Sequence, residues 1–372
     1  MSGSEKVVIL GGGAAGCAAA YYLARAGLKS TIVEREGIGS QASGFSAGGI
    51  NPLQGIAEPL QPLAMESYRL HLELWGELER PTGRSCQARI VTVVMAAFDR
   101  AQVPELLELG RVFEATEGFA ARWLERAELA ALESRIAPEV IGGLSLHGNG
   151  ALDSQLYTEL LAEAARGSGA TVRIGAVRGL EQAGGRVTGV VLEDGRIPCD
   201  TVVVALGPWS GAAERWLGLP LPVEPLKGEI LRMELPGPPL AVDLHGAEVS
   251  LYRRTGDQVW CASTVESRGF DRQPSESAYR FLLSGASKLV PAMAEAKLVR
   301  QTACLRPLTP DGVPILGKAP GWEGVYLATG GAKKGILLST GMGRAISDLI
   351  TEGGTSLPIA ACAPERFAGV SA

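Results

Sequence analysis

One arginine stands in an apolar, proline-stiffened stretch, ACLRPLTPDGVPILG, at residues 303–317. A planar guanidinium binds a carboxylate through two parallel hydrogen bonds, so Arg306 is a candidate for holding an acidic substrate in one orientation. The alternative interpretation is a loop between strands whose arginine lies in water or in a structural ion pair. Cys304 precedes it by two residues and offers a thiol as a second reactive group. The stretch therefore indicates a carboxylate site, provided that other elements enclose Arg306.

A glycine-rich turn near the start of the chain has the pattern of a dinucleotide site. The run VVIL at residues 7–10 is continuously apolar, as in a parallel strand buried on both faces. Gly11, Gly13 and Gly16 then match G-x-G-x-x-G, and an alanine-rich helical segment follows. A second strand leads into Glu34, whose carboxylate is placed to accept hydrogen bonds from a ribose. These parts in register predict that backbone N–H groups and a helix N-terminus bind a pyrophosphate.

Two later segments extend this prediction to a long cofactor. GSQASGFSAGGINP, at residues 39–52, is small and polar and can wrap the rest of the cofactor. A strand at residues 324–329 runs into GGAKKGILLSTG at residues 330–341, where a helix opens and continues to about Thr351. The positive end of that helix would stabilise negative charge on a reduced flavin ring. The glycine motif alone fits NAD or FAD, whereas these segments favour FAD.

Periodicity in the remaining sequence predicts the elements that must position these groups. The predicted helices span residues 60–80, 122–132, 155–166 and 277–289. The predicted strands span residues 89–95, 171–174, 185–192, 197–199, 201–206, 249–253, 258–264 and 313–316. Asp153 or Ser154 can cap the third helix. Lys227 and Glu229 are expected to be structural, Trp209 to be a core aromatic residue and His245 to lie in a polar loop.

Five motifs, in order, resemble the D-amino-acid oxidase/glycine oxidase family of flavoproteins. They are the first glycine turn, the small-residue loop, ALGPWS at 205–210, PLKGE at 225–229, and LRPLTPDGVPILG at 305–317 with the glycine turn after it. The resemblance implies an α/β fold, with a Rossmann-like FAD-binding domain of the GR2-type flavoproteins and a second, mixed or antiparallel β-sheet substrate domain. The implied FAD-binding domain is residues 1–82, 150–224 and 300–372, and the substrate domain is residues 83–149 and 225–299.

The resemblance also implies which residues contact FAD. In the family, the residue matching Val177 touches the adenine, and the one matching Gly207 lies near the pyrophosphate. The expected FAD contacts are Gly11, Gly13, Ala14, Ala15, Gly16, Glu34, Arg35, Ser40, Ser43, Ser46, Ala47, Gly48, Val177, Gly207, Trp209, Arg306, Gly331, Lys333, Lys334, Gly335 and Ile336. FAD is expected to be held non-covalently. A covalent link at Cys304 is the alternative, because sarcosine-oxidase-like relatives carry their flavin on a cysteine at this spacing.

The expected catalytic residues are Arg306, Lys333 and Tyr252. Arg306 matches the arginine that binds the substrate carboxylate in amino-acid oxidising members, and Lys333 matches a second basic residue of glycine-oxidase-like members. The family often has a tyrosine in the strand of Tyr252, although the best alignment puts Ser250 at that position. Two positions depart from the family. Gly331 replaces a histidine or larger residue and Thr340 replaces a frequent proline, so the space above the flavin is expected to be wider than usual or filled from elsewhere.

The implied activity is FAD-dependent oxidation of a small amino acid or N-alkyl amino acid, similar to glycine, sarcosine or proline. Hydride would pass to flavin N5 and leave an imine that water hydrolyses. Electrons would then leave to oxygen, a quinone or a protein, because only one GxGxxG unit is present. The alternatives are a hydroxy-acid or glycerol-phosphate-type FAD dehydrogenase, or a flavin subunit of a larger dehydrogenase complex.

Composition limits the partners. The 372 residues carry a net charge of −5 without a basic stripe, which gives no reason to expect nucleic acid or an anionic membrane. Three histidines and six cysteines show no metal-ligand spacing, so no metal site is expected and the thiols are predicted to be reduced. Without a long apolar run, no transmembrane segment is expected. We expect a cytoplasmic enzyme of a small amino or imino acid, compatible with a homo-oligomer.

Overall fold

The chain passes back and forth between two structural units. The structure is a computed structural model that describes residues 6–368, leaving aside the side chains of residues 81 and 82. The first unit contains the residues up to Gln87, Leu152–Leu226 and the residues from Leu305 onward. The second contains Ala88–Ala151 and Lys227–Cys304. Each unit is therefore built from stretches that are distant in sequence.

The helices and strands follow one another along these stretches. The first stretch contains β1 (Val7–Leu10), α1 (Ala14–Arg25), β2 (Ser30–Glu34), β3 (Gly49–Ile50) and α2 (Gln61–Thr82). Next come β4 (Arg89–Ala97), α3 (Val103–Glu114), β5 (Ala120–Glu125), α4 (Arg126–Leu132) and β6 (Gly142–Ala151). The third stretch contains α5 (Ser154–Gly167), β7 (Thr171–Ile174), β8 (Val177–Ala183), β9 (Arg186–Leu192), β10 (Gly195–Pro198), β11 (Thr201–Val204) and α6 (Glu214–Leu217). The remaining elements are β12 (Glu224–Glu234), β13 (Asp243–His245), β14 (Ser250–Arg253), β15 (Gln258–Ala262), α7 (Glu276–Leu289), β16 (Lys297–Leu308), β17 (Ile315–Lys318), β18 (Val325–Thr329) and α8 (Gly335–Thr351).

A largely parallel sheet forms the centre of the first unit, in the order β17-β18-β11-β1-β2-β7. Strand β1 lies parallel between β2 and β11, with Val7 opposite both Ser30 and Thr201. Ile9 and Leu10 are fully buried, as the apolar run predicts for a strand covered on both faces. Helix α1 packs against α5 and α8, and α2 packs against α8. The carboxyl ends of β1, β2 and β11 therefore meet at one edge, where ligands of such sheets bind.

The second unit is built on a mostly antiparallel sheet, in the order β16-β12-β15-β14-β13-β4-β6, with β5 beside β6. The pairs β12–β15, β14–β15 and β4–β6 are antiparallel, whereas β13 runs parallel to β4. One face of this sheet packs on α7 through a core that includes Leu231, Leu251 and Leu282. Since side chains alternate along a strand, the neighbouring residues Arg232 and Tyr252 belong to the opposite face.

The predicted helix over residues 122–132 is wrong in its first part. Residues 120–125 form β5, which pairs with β6, and the helix begins only at Arg126. Glu125 explains this boundary, because its backbone is extended (φ −66°, ψ 158°) and its side chain forms a capping box with Glu128. The cap satisfies the N–H groups of the first turn at this point and so fixes where the helix starts.

Two smaller predictions are also corrected. His245 lies at the end of β13 and not in a loop, and it pairs with Ser250. Trp209 is half-buried and not fully buried, with the Arg35 guanidinium over its ring. By contrast, Asp153 caps α5 as predicted, accepting a hydrogen bond from Leu156 N–H at 3.0 Å.

None of the helices in residues 6–368 is long and apolar enough to cross a membrane.

Candidate functional site

The first glycine turn joins β1 to α1 at the carboxyl edge of the parallel sheet. Gly11 has φ +111°, and a Cβ there would overlap the carbonyl oxygen of Ala205, which follows β11. A Cβ on Gly16 would overlap the carbonyl oxygen of Gly11. Both positions therefore require glycine, the first for the tight turn and the second for close packing of helix on strand.

The start of α1 presents backbone donors at this turn. Gly13 is the N-cap and gives no side-chain cap, while Ala14 N–H donates to Ser43 Oγ at 2.9 Å. The next N–H groups, of Ala15 and Gly16, belong to the first helical turn, where no carbonyl of the same helix accepts from them. They are available to an anion such as a phosphate.

Glu34 lies at the end of β2, directly beside the turn. Its Oε2 accepts from Gly12 N–H at 2.7 Å and its Oε1 from Glu36 N–H at 3.0 Å. These bonds fix the carboxylate at the sheet edge and leave lone pairs for a ribose hydroxyl. The next residue, Arg35, lies with its guanidinium carbon 4.7 Å from the centre of the Trp209 ring. The structure thus brings three of the predicted residues together from β2 and from the segment after β11.

The small-residue loop is packed along most of its path. Ser46 Oγ accepts from Gly48 N–H at 3.1 Å, and Ser46 O accepts from Ser154 Oγ at 2.9 Å. Gly48 has φ +70°, and a Cβ there would overlap the carbonyl oxygen of Leu152. The other two predicted contacts of this loop, Ser40 and Ala47, are both half-buried. Ser43 is therefore the loop hydroxyl that the structure brings to the start of α1.

Two further residues that are predicted to contact FAD lie at the start of β8 and after the end of β11. Val177 begins β8 and pairs with Leu192 of β9. Gly207 follows β11 with φ +54°, and its carbonyl oxygen accepts from Thr329 Oγ1 at 3.1 Å. No heavy atom would contact a Cβ on Gly207 within 4 Å, so open space borders the backbone there.

Three cations gather where α8 begins. Arg306 is half-buried on β16, and its charge lowers the pKa of Lys333, after the larger effect of burial. Lys334 donates to the carbonyl oxygens of Gln54 at 2.6 Å and Asn51 at 3.2 Å. Burial, and then the charge of Lys333, lower its pKa from 10.5 to about 8. Two of these side chains stand at the N-terminus of α8, whose dipole adds positive charge, so the arrangement favours an anion.

The second glycine turn, at Gly330 and Gly331, leaves little space around its backbone. A Cβ on Gly331 would lie 2.8 Å from Cα of Gly335, so a histidine at this position would require the turn to shift. Thr340, where the family often has proline, donates from Oγ1 to Ser67 O at 2.8 Å and so connects α8 to α2. Thr340 is fully buried against α2.

A buried histidine supports the first turn of α8 and was missed by the sequence analysis. His71 Nε2 lies 2.9 Å from Ile336 O and 3.2 Å from Leu337 O. Burial lowers the pKa of His71 to about 4, so the ring is neutral at physiological pH and Nε2–H is the donor. His71 lies 265 residues from Ile336, and no local pattern reveals such a contact.

Replacing Lys334 with methionine is expected to alter how stability depends on pH. Between about pH 8 and 10.5 the unfolded chain binds more protons at Lys334 than the folded chain does, so the free energy of unfolding of the natural protein rises with pH in this window. The stability of Lys334→Met relative to the natural protein should therefore be highest below pH 8 and should fall towards pH 10.5. Urea unfolding of both proteins across this range measures the difference. A difference that stays constant with pH would contradict the lowered pKa.

In the second unit, Tyr252 belongs to a layer of aromatic and cationic side chains. Its ring meets the ring of His245 edge-on, with centroids 5.3 Å apart. The guanidinium carbons of Arg232 and Arg254 lie 4.2 Å and 4.3 Å from the Trp260 ring centre. Cross-strand register creates this layer, since Trp260 is opposite both Arg232 and Tyr252. The sequence analysis named Tyr252 and His245 but not Arg232, Arg254 or Trp260.

All six cysteines of the chain are free and buried, and Cys304 is 5% exposed. It lies on β16, two residues before Arg306.

The first unit fits an FAD molecule at the points that the structure describes. The donors at the start of α1 suit the pyrophosphate, Glu34 suits the ribose, and the cationic start of α8 suits the anionic edge of the flavin ring. Open backbone at Gly207 and Gly335, where a Cβ would meet no atom within 4 Å, leaves room for close approach.

Comparisons with known proteins agree with this arrangement. The model of the family "DAO: FAD dependent oxidoreductase" matches residues 6–349. A glycine oxidase of Pseudomonas aeruginosa is 30% identical over 366 residues, covering 94% of this chain and 95% of that protein. A D-amino acid dehydrogenase of Paramagnetospirillum magneticum is 29% identical, covering 97% and 99%. The crystal structure of glycine oxidase from Geobacillus kaustophilus superimposes with a TM-score of 0.92 at 27% identity, covering 97% of this chain and 99% of that one.

Proposed function

Because the chain belongs to the FAD-dependent oxidoreductase family, we propose that it oxidises the Cα–N bond of a small amino acid or N-alkyl amino acid, with Arg306 binding the substrate carboxylate. Relatives named glycine oxidase and D-amino acid dehydrogenase support this substrate class. The substrate loses a hydride from Cα and a proton from nitrogen, and water then hydrolyses the resulting imine to an oxo acid and either ammonia or, from an N-alkyl amino acid, an amine.

The observation that carries the proposal is that two cations, Arg306 and Lys333, lie near each other at the start of α8. Arg306 is near enough for its charge to lower the pKa of Lys333, so the two positive charges lie close to each other. A carboxylate bound there relieves their repulsion. A bidentate guanidinium contact also fixes which face of Cα the substrate presents.

FAD, when bound, supplies the two-electron acceptor for the substrate hydride. The turn at Gly11–Gly16, Glu34 and the start of α8 are the parts of this chain that we assign to holding it. Arg306 orients the substrate, and the neutral amine form of the substrate requires no side chain as a general base. We assign the first unit to FAD binding and the second to the substrate domain.

Anaerobic mixing of the purified flavoprotein with single substrates tests the proposal. We expect glycine, sarcosine, proline or a D-amino acid to bleach the flavin absorbance, whereas 2-hydroxy acids and glycerol 3-phosphate leave it unchanged. Bleaching by a hydroxy acid alone would replace the proposal with a hydroxy-acid dehydrogenase. The absence of bleaching by every small substrate, together with a co-purifying partner, would indicate a subunit of a larger complex. Reoxidation by oxygen or by a quinone then identifies the acceptor.

The same preparation shows how the flavin is attached. We assign a non-covalent FAD, so acid precipitation should release all the yellow colour into the supernatant. A yellow pellet from the natural protein, lost on Cys304→Ser, would establish a thioether at Cys304 instead.

A further inference from the structure

A cleft in the first unit lies among α1, α2 and α8, away from the two glycine turns. Its cavity volume is about 290 Å³, and it is bordered by the last turn of α1, the middle of α2 and the C-terminal half of α8. Helix α8 has 17 residues and is therefore about 25 Å long, which separates its C-terminal end from the cations at its start. We call this feature the helix-end cleft.

The charge of the helix-end cleft is negative. Its two arginines are already neutralised, because Arg25 pairs with Glu77 and Arg344 Nε lies 2.7 Å from Asp348 Oδ1. Two more carboxylates, Glu73 and Glu352, line the cleft, and within residues 6–368 neither carboxylate forms a hydrogen bond or a close ion pair, although Glu352 interacts electrostatically with Arg344.

The ends of two helices add to this charge. The C-termini of α1 and α8 both border the cleft, and each carries the negative end of a helix dipole. An anion would meet repulsion from the carboxylates and from both helix ends, whereas a cation is attracted by all of them.

Two hydroxyl groups on largely buried residues line the same cleft. Tyr22 is 7% exposed and Ser347 is 3% exposed, and neither hydroxyl has a hydrogen-bond partner among the described residues. Both residues are largely buried and their hydroxyls face the cleft, so a polar group that enters from outside the chain can hydrogen-bond to them. Leu70 and Leu74 also line the cleft and offer apolar contact. Hydroxyl groups beside leucines suit a ligand that carries a polar group on a short apolar chain.

We propose that the helix-end cleft binds a small organic cation, a primary ammonium on a short alkyl chain. The ammonium donates hydrogen bonds to the free carboxylates of Glu73 and Glu352 and to the hydroxyl oxygens, and the alkyl chain lies against the leucines. A neutral alcohol gains no charge interaction in this cleft, and a carboxylate of the same length is repelled. This binding site is separate from Arg306 and Lys333.

Calorimetric titration of the FAD-loaded protein with 1,4-diaminobutane at low salt tests this proposal. We expect saturable binding of one molecule, with 1-butanol and butyrate giving no saturation up to about 10 mM. Glu73→Gln/Glu352→Gln should weaken binding by about tenfold or more. Tyr22→Phe and Ser347→Ala should each weaken it less.

The matched control is Glu117→Gln/Glu139→Gln, which removes two exposed carboxylates of the second unit. It makes the same change in net charge and should bind as the natural protein does. Equal weakening in both double variants, equal binding of 1-butanol, or no saturation by the diamine would each overturn the proposal. Because the readout is binding and not turnover, the result does not depend on which substrate the enzyme oxidises.

Discussion

Replacing Arg306 with leucine is expected to lower kcat/KM for the amino-acid substrate by about a thousandfold, chiefly by raising KM. The arginine is half-buried, and truncating one partner of such a charged pair leaves the substrate carboxylate without its counter-ion. Steady-state kinetics of the flavin-loaded variant measure the effect. The ratio of flavin to protein absorbance must stay unchanged, since a loss of FAD would also lower activity.

A substrate without a carboxylate makes this test specific. The corresponding primary amine should be oxidised equally slowly by the natural enzyme and by Arg306→Leu, because neither can use the carboxylate contact. Lys333→Met, at the exposed neighbour, is expected to cost only about tenfold. If Arg306→Leu oxidised the amino acid with near-normal kinetics, Arg306 would not be the residue that binds the substrate carboxylate. The proposed oxidation by FAD would still stand.

Replacing Glu229 with alanine is expected to lower the free energy of unfolding by about 3–5 kcal/mol. Glu229 is fully buried, and its carboxylate accepts from Ser275 N–H at 3.0 Å, from Ser275 Oγ at 2.9 Å and from Gln301 Nε2 at 2.7 Å. It also lies 3.3 Å from Nζ of Lys227, which is 2% exposed. The variant would leave a buried ammonium with one fewer counter-ion and three donors without their acceptor.

Chemical denaturation of the natural protein and the variants measures this loss. Glu276→Ala is the matched control, because Glu276 is an exposed carboxylate at the start of the neighbouring helix α7 and pairs with the exposed Arg280. Its loss should stay below about 1 kcal/mol. The double variant Lys227→Met/Glu229→Leu should lose less than Glu229→Ala, since it leaves no buried charge. A loss from Glu229→Ala as small as that of the surface control would show that the network does not contribute to stability.

The sequence predicted the parts of the fold that local pattern determines. The family resemblance is confirmed by the family match and by relatives of about 30% identity, and the α/β fold class is confirmed as well. The first glycine turn could be recognised because strand, turn, helix and acid lie within about thirty consecutive residues. The boundary at Arg126 could not be placed so well, since residues 120–125 suit a strand or a helix until pairing with β6 decides. The individual FAD contacts remain predictions.

The parts of the site that depend on long-range register were not visible in the sequence. His71 reaches the first turn of α8 from a helix 265 residues earlier. Trp260 lies between two arginines only because β12, β15 and β14 pair in one particular alignment. Arg306 was identified through its motif, but its electrostatic coupling to Lys333 required the structure.

The position of β1 in the middle of its sheet has a consequence for synthesis on the ribosome. Strand β2 follows at once, but the other neighbour, β11, begins about 190 residues later, which takes roughly 10–40 s at ordinary translation rates. Until then, the apolar strand VVIL has one edge without hydrogen-bond partners, and such edges are prone to pair with other chains. The nascent protein is therefore expected to depend on chaperones during this interval, and slower translation between β2 and β11 should lower its soluble yield.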